Sequence, residues 1–376
     1  MLSAVNAAKH ERTILSPAES LNALTIGAQH QDSVAERVGA QNAVDPYLDS
    51  SLPNVSSGLG LGHRRMIKPE VYFPGGREFV RMKRTGGRLV VSIGNPQRLY
   101  GLKAAAPDPS GRGRLDYAAL SDGTSSATAL GTRAAHHIFD ALMDREGGSM
   151  LVDIDPRSYG VALKCLLVHS AQWNGNHELL KEICGPADKR QHVERAENSS
   201  RFIGFGVPRV STVLECARNQ ATLVGVGELE TGKGHRYRIP LPACLERVTE
   251  PRSLTVTVAW FSPVKPGHQN YRCVRLGAAP LNSPMEVLGV ERRRAQPADA
   301  SVKRGSVFHE HFEGDAAVPF IDDGHLSLQV WCKEDAGLVV PQFVRYAVAV
   351  TLRAETDIPV YDQVQERLRV RPQAQA

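Results

Sequence analysis

The segment of this chain best suited to chemistry is Gly123-Thr124-Ser125-Ser126-Ala127. It sets a serine hydroxyl between a glycine, which permits a sharp backbone turn, and an alanine-rich run of helical period. A serine at a helix start faces unpaired backbone N–H groups and the positive end of the dipole. Both favour negative charge on a nearby oxygen, as an attack on a carbonyl requires. The same residues also suit plain helix capping, because Ser and Thr are ordinary N-cap residues.

Two other stretches carry chemistry-bearing residues. Gly227, Gly232 and Lys233 in GELETGKG have the spacing of a phosphate-binding loop. The final Ser/Thr is missing, and Glu228 and Glu230 would repel phosphate, so a hairpin turn is the better reading. His309 and His311 in HEHFEGD fall on one face of a strand, as two zinc ligands could. Spacing places no third ligand, although His325 is a distant option, and a solvated strand face is expected. No metal or cofactor is expected.

The elements that must position the serine are legible in outline. Ser126–Met143 sets Ala127, Leu130, Ala134, Ile138 and Leu142 at three- and four-residue steps, which predicts one apolar helix face. YGVALKCLLVHSAQW is apolar almost all round and predicts a buried helix; NHELLKEIC predicts a shorter amphipathic one. SLNALTIGAQ (Ser20–Gln29) and GGRLVVSIGN (Gly86–Asn95) read as strands, and APDPSGRGR (Ala106–Arg114) as an exposed loop. Residues from about Asp32 to Met66 read as loop with at most one short helix. After about Val226 the texture alternates in twos between turn residues, in HRYRIPLP, SLTVTVAWFSP, GSVFHEHFEG, LSLQVWCK and VRYAVAVTLRAE. The expected organisation is therefore an α/β part, 1–225, followed by an all-β sandwich-like domain, 226–376.

Composition sets the class. The chain has 376 residues, 42% hydrophobic and 23% charged, with a net charge of +5. These are the values of an ordinary globular chain with room for a full core. No run is apolar enough to span a membrane, and no basic arm points to nucleic acid. Six cysteines are scattered without a C-x-x-C pair. Reduced, buried thiols and a cytoplasmic location are expected.

GTSSATALG resembles the nucleophile motif of subtilisin-like serine peptidases, G-T-S-x-A before a small-residue helix, through Gly123, Thr124, Ser125 and Ala127. Flanking segments agree in order. SAVN (Ser3–Asn6) is similar to the S-A-G-N segment that supplies a side-chain oxyanion donor. PAESLNALTIGA (Pro17–Ala28) resembles the strand after it, and KPEVYFPGG (Lys68–Gly76) the K-P-D…P-G segment. GFGVPRV (Gly204–Val210) resembles the G-x-G turn near the end of that catalytic domain. The pattern departs at Val5, where a glycine precedes the asparagine, at Ala129 for proline and at Arg133 for glycine.

The resemblance implies the later portion of a subtilisin-like parallel sheet with helices, Ser125 as nucleophile and Asn6 as oxyanion donor. It implies a protein or peptide substrate. The β domain resembles the extra domain of a bacterial subtilase subgroup often paired with an AAA ATPase. Subtilases run Asp, His, then Ser, with the first two ahead of the oxyanion asparagine. No D-[ST]-G, H-G-T or H-G-H segment occurs in the chain. The expectation is thus a serine endopeptidase carrying its nucleophile half and lacking its base half. A complementing N-terminal half would come from upstream or in trans. The alternative is a non-catalytic interaction protein derived from a subtilase.

Overall fold

A computed structural model of the chain describes residues 2–32, 34, 43–47, 52–93, 100–144, 154–173, 175–185, 192–215, 217–321, 324–335 and 343–369. It is a mixed α/β structure of two compact units. One comprises Met1–His136 with Gln172–Pro208, the other His137–Ala171 with Arg209–Ala376. Among the described residues no helix is long and apolar enough to cross a membrane. Cys216 lies outside the described residues.

The first unit is built around the strands Ile26–Gln29 and Val71–Pro74, paired in parallel with Ile26 opposite Val71. Gly206 adds a parallel bridge to Val71. Of the strand expected over Ser20–Gln29, only the last four residues are extended. The preceding residues are held instead by a buried ion pair. Lys68 Nζ lies 2.5 Å from Glu70 Oε1 and donates to Ala23 O at 2.6 Å. Glu70 Oε2 accepts the Thr25 N–H at 2.8 Å. The K-P-E tripeptide therefore clamps the loop that feeds the first strand. Val5, Tyr47, Leu52, Leu59, Trp173 and Phe202 belong to one hydrophobic cluster of this unit. The helices Asn176–Cys184 and His192–Ile203 pack on each other. The second was not anticipated, because its sequence is polar on average.

Among the described residues between Pro74 and Ser125 lie two hairpins. Val80–Thr85 pairs with Arg88–Ile93, and Leu102–Ala105 with Ala118–Ser121. Ala106–Arg114 forms the loop of the second, mostly exposed.

The second unit carries two antiparallel sheets. One has five strands in the order Gln220–Glu230, Phe343–Ala354, Arg252–Trp260, Val307–Gly314, Glu291–Arg292; the other has three, Gly234–Pro240, His325–Glu334, Val274–Pro280. Gly225 sits mid-strand opposite Val348. The helix Tyr159–His169 packs on the central strands of the larger sheet. Arg252–Trp260 is consequently buried along almost its whole length. Thr257 meets the helix through His169, while Trp260 Nε1 donates to Val274 O of the smaller sheet at 3.4 Å. The strand nonetheless alternates in sequence, because the buried helix-side residues Thr255 and Thr257 are hydrogen-bonded to His311 and His309.

Two expectations are corrected in this unit. The GELETGKG turn joins the strands Gln220–Glu230 and Gly234–Pro240, which belong to different sheets. It is a crossover turn rather than a hairpin. A strand follows it where a phosphate-binding loop requires a helix. The face of Val307–Gly314 carrying His309 and His311 is buried rather than solvated, the two residues being 1% and 6% exposed. The helix Tyr159–His169 covers that face, a tertiary contact that the strand's own alternation does not encode.

Candidate active site

The helix bearing Ser125 runs Thr124–Met143, two residues earlier than its apolar periodicity indicates. The first intrahelical bond runs from Ala127 N–H to Gly123 O at 3.4 Å. Gly123 is therefore the residue at the cap, and Ser125 stands inside the first turn. Gly123 has φ +111°, a conformation open to glycine and strained for any L side chain. A Cβ there would touch nothing within 4 Å, so the requirement is conformational and not one of space. Ser125 is exposed, and among the described residues its side chain has no hydrogen-bond partner. The first-turn N–H groups and the dipole favour an anionic oxygen beside it.

The turn before Ser125 sits on a glycine seat. Gly123 N–H donates to Gly75 O at 2.7 Å, and Gly75 N–H donates to Gln29 O at 2.9 Å. A Cβ on Gly75 would come within 2.5 Å of Ala28 Cβ and 3.1 Å of Gly123 O. Asn54 Nδ2 donates to the same Gly75 carbonyl at 3.3 Å. Behind Asn54 lies buried His30. Its Nε2 is 3.0 Å from Asp45 Oδ1, and its Nδ1 is 3.1 Å from Asn54 Oδ1 and accepts the Glu78 N–H at 3.3 Å. This histidine–carboxylate pair was not legible in the sequence. Its two members are 15 residues apart in a segment without periodicity. With both ring nitrogens engaged, His30 is a strut under the seat and not a base for Ser125.

The helix leans closely on the parallel strands. Ala127 and Gly131 are buried, and a Cβ on Gly131 would meet Ile26 Cδ1 at 2.3 Å. The small-residue face expected after Ser125 is thus used for close helix–sheet approach. Gly131 takes part in it, while Leu130 is only half-buried. Thr124 and Thr128 on the same helix line a cleft of about 840 Å³, together with Arg12, Ile14, Leu15 and Ser57.

Asn6 lies in the short helix Leu2–Ala7, which packs against Asn176–Cys184. Its neighbour Val5 belongs to the core cluster, which explains a branched apolar residue where the resembled motif has glycine. Asn6 is half-buried, and its Oδ1 is buried with no hydrogen-bond partner among the described residues. His136 and His137 are both exposed on the long helix. Among the described residues no group of three or more His, Cys, Asp or Glu could hold a metal ion. The described cysteines are free thiols; burial pushes Cys165 up to about 12 and Cys184 and Cys332 up to about 11, so these three are not activated nucleophiles.

No family model matches this chain, and no curated protein matches it. Among solved structures, it is similar to a chain of the cyanophage Pam1 capsid asymmetric unit at 11% identity and a TM-score of 0.21, over 37% of this chain and 89% of that one. A likeness at that score carries no argument about fold or function.

Proposed function

We propose that this chain is the nucleophile-bearing part of a subtilisin-type serine endopeptidase, with Ser125 forming the acyl-enzyme. The observation that carries the reading is Ser125 itself. It is exposed in the first turn of a long helix, follows a glycine at φ +111°, and has Thr124 and Thr128 beside it lining a cleft. The parallel pair Ile26–Gln29 and Val71–Pro74 under that helix supports a subtilisin-like arrangement. In this reading the Asn6 amide would donate to the developing oxyanion, a donor whose loss in subtilisin costs roughly 100–1,000-fold in rate. A serine hydroxyl needs a base, and no histidine among the described residues is paired with Ser125. The base and its aspartate come from residues outside these 376, joined in the same polypeptide or held by a second chain. An AAA ATPase partner and a cytoplasmic setting belong to the same proposal.

The test is to translate the DNA upstream of the Met1 codon in all frames and to express the joined or paired product. Cleavage of casein that disappears with Ser125→Ala is the expected result. No upstream D-[ST]-G and H-G segment, and no activity with any complementing chain, would move the reading to its alternative. That alternative is a non-catalytic interaction protein with an inherited serine, and the unpartnered Ser125 hydroxyl is the observation that favours it.

A further inference from the structure

The hairpin Val80–Thr85/Arg88–Ile93 carries a charge pattern that the chemistry of Ser125 does not use. From Phe79 to Pro107 the sequence has Arg81, Lys83, Arg84, Arg88, Arg98 and Lys103 and no Asp or Glu, in a chain nearly balanced at 45 basic and 40 acidic residues. Arg81, Lys83, Arg84 and Arg88 all lie on the hairpin, and all are exposed. The cations are distributed without direct clashes. Arg81 stands opposite Ser92, Lys83 opposite Val90, Arg84 opposite Leu89 and Arg88 opposite Thr85. Directly opposed residues share a face, so Arg81, Lys83 and Arg88 lie on one side of the hairpin together with Val90, itself 48% exposed. The sheet order puts Arg88–Ile93 on the outside.

We propose that this hairpin docks an extended acidic protein segment. The segment adds as a strand along Arg88–Ile93, with carboxylates on the face of Arg81, Lys83 and Arg88. Side chains at every second residue of an extended peptide recur at about 6.8 Å, the same repeat that separates Arg81 from Lys83 along their strand. Main-chain pairing supplies affinity in this mode and alternate side chains supply specificity. Two features favour a peptide over other polyanions. No Phe, Tyr or Trp occurs from Val80 to Leu99, so the hairpin has no stacking platform for unpaired bases. It also lacks the aromatic anchors that seat proteins at a lipid interface. A single edge cation suffices to block unwanted strand pairing. A long acid-free run goes beyond that need.

The proposal does not depend on Ser125 being a nucleophile, and its test is a binding measurement on the full chain. The probe is a fluorescein-labelled peptide alternating Glu and Val, followed by anisotropy. Binding that weakens with added salt, and by at least about tenfold in Arg81→Glu/Lys83→Glu/Arg88→Glu, is expected. These residues are exposed, so the variant should keep the parent's circular dichroism and urea midpoint. The same peptide N-methylated at alternate residues should also lose at least about tenfold, because it cannot pair along the strand. Absence of binding, equal binding by the triple variant or equal binding of the N-methylated peptide would overturn the proposal. So would tighter capture of a single-stranded oligonucleotide or of phosphatidylserine vesicles.

Discussion

His309 and His311, two positions apart on one strand, point their Nε2 atoms at each other across 3.0 Å in a fully buried setting. Both Nε2 atoms also approach Ala171 O, at 3.3 and 3.2 Å. Their Nδ1 atoms meet Thr257 Oγ1 at 2.7 Å and Thr255 Oγ1 at 2.9 Å. Thr257 Oγ1 continues to His169 Nδ1 at 2.8 Å, and His169 Nε2 to Thr351 Oγ1 at 2.6 Å. Thr351 in turn meets Thr222 Oγ1 at 2.8 Å. Three neutral imidazoles and four hydroxyls thus form one hydrogen-bonded chain, in which one of the two facing Nε2 atoms carries the N–H and the other accepts it. Buried polar groups are tolerated when they are satisfied in this way.

That chain predicts acid sensitivity. Burial lowers His169 to about 3 and His311 to about 4, and lowers His309 well below its ordinary value. The neighbouring imidazoles add to the effect at His169 and His309. At His311 the Ala171 carbonyl opposes it, and Arg293 reinforces it. The folded values lie below the unfolded one, so the unfolded chain takes up protons first. Stability from this cluster is complete above about pH 6.5 and falls on acidification, by up to about 1.4 kcal/mol per pH unit for each histidine. Urea midpoints measured between pH 7.5 and about 4.5 should drop along this slope, and His309→Phe should flatten it.

Thr257 bridges two of the imidazoles, so Thr257→Val should cost about 1–3 kcal/mol at neutral pH by leaving buried nitrogens without a partner. Thr222→Val, at the end of the chain, should cost less. The comparison of urea midpoints at equal m-value checks both.

Ser125→Ala should leave stability within about 0.5 kcal/mol of the parent, because the side chain is exposed and lies beyond the cap. A capping serine would cost about 1 kcal/mol. A large loss would show that the hydroxyl is structural and would weaken the case for a nucleophile.

Gly75→Ala should be more damaging than Gly131→Ala. The new methyl at Gly75 meets Ala28 and the backbone of Gly123, while at Gly131 it meets the flexible tip of Ile26. Overpacking costs about 1–3 kcal/mol, and at Gly131 a gain of about 1 kcal/mol in helix propensity offsets part of it. Denaturation midpoints of the two variants give the order directly.

Lys68→Ala should cost about 3–5 kcal/mol, because it leaves Glu70 charged, buried and unpaired. Lys68→Met/Glu70→Leu should recover most of that loss. Midpoints for the single and double variants, compared as a cycle, measure the coupling.

The sequence alone determined the elements whose residues speak locally. The long helix after Gly123, the buried helix around Cys165 and the alternating strands from His235 onward follow from periods of 3.6 and 2 that no partner has to supply. It also placed Ser125 at a helix start, because glycine, hydroxyls and alanines state that in a few consecutive residues. The tertiary structure decided whatever depended on a second segment. The burial of His309 and His311 required the helix Tyr159–His169 to cover their strand, and 140 residues separate Ala171 from His311. His30 found Asp45 and Asn54 across a stretch with no period to read. The turn at Gly232 looked like a hairpin because sequence encodes a chain reversal and not the sheet that each arm joins. The acid-free basic run from Phe79 to Pro107 stands in the sequence, but only the register of one hairpin turned three of its cations to the same side.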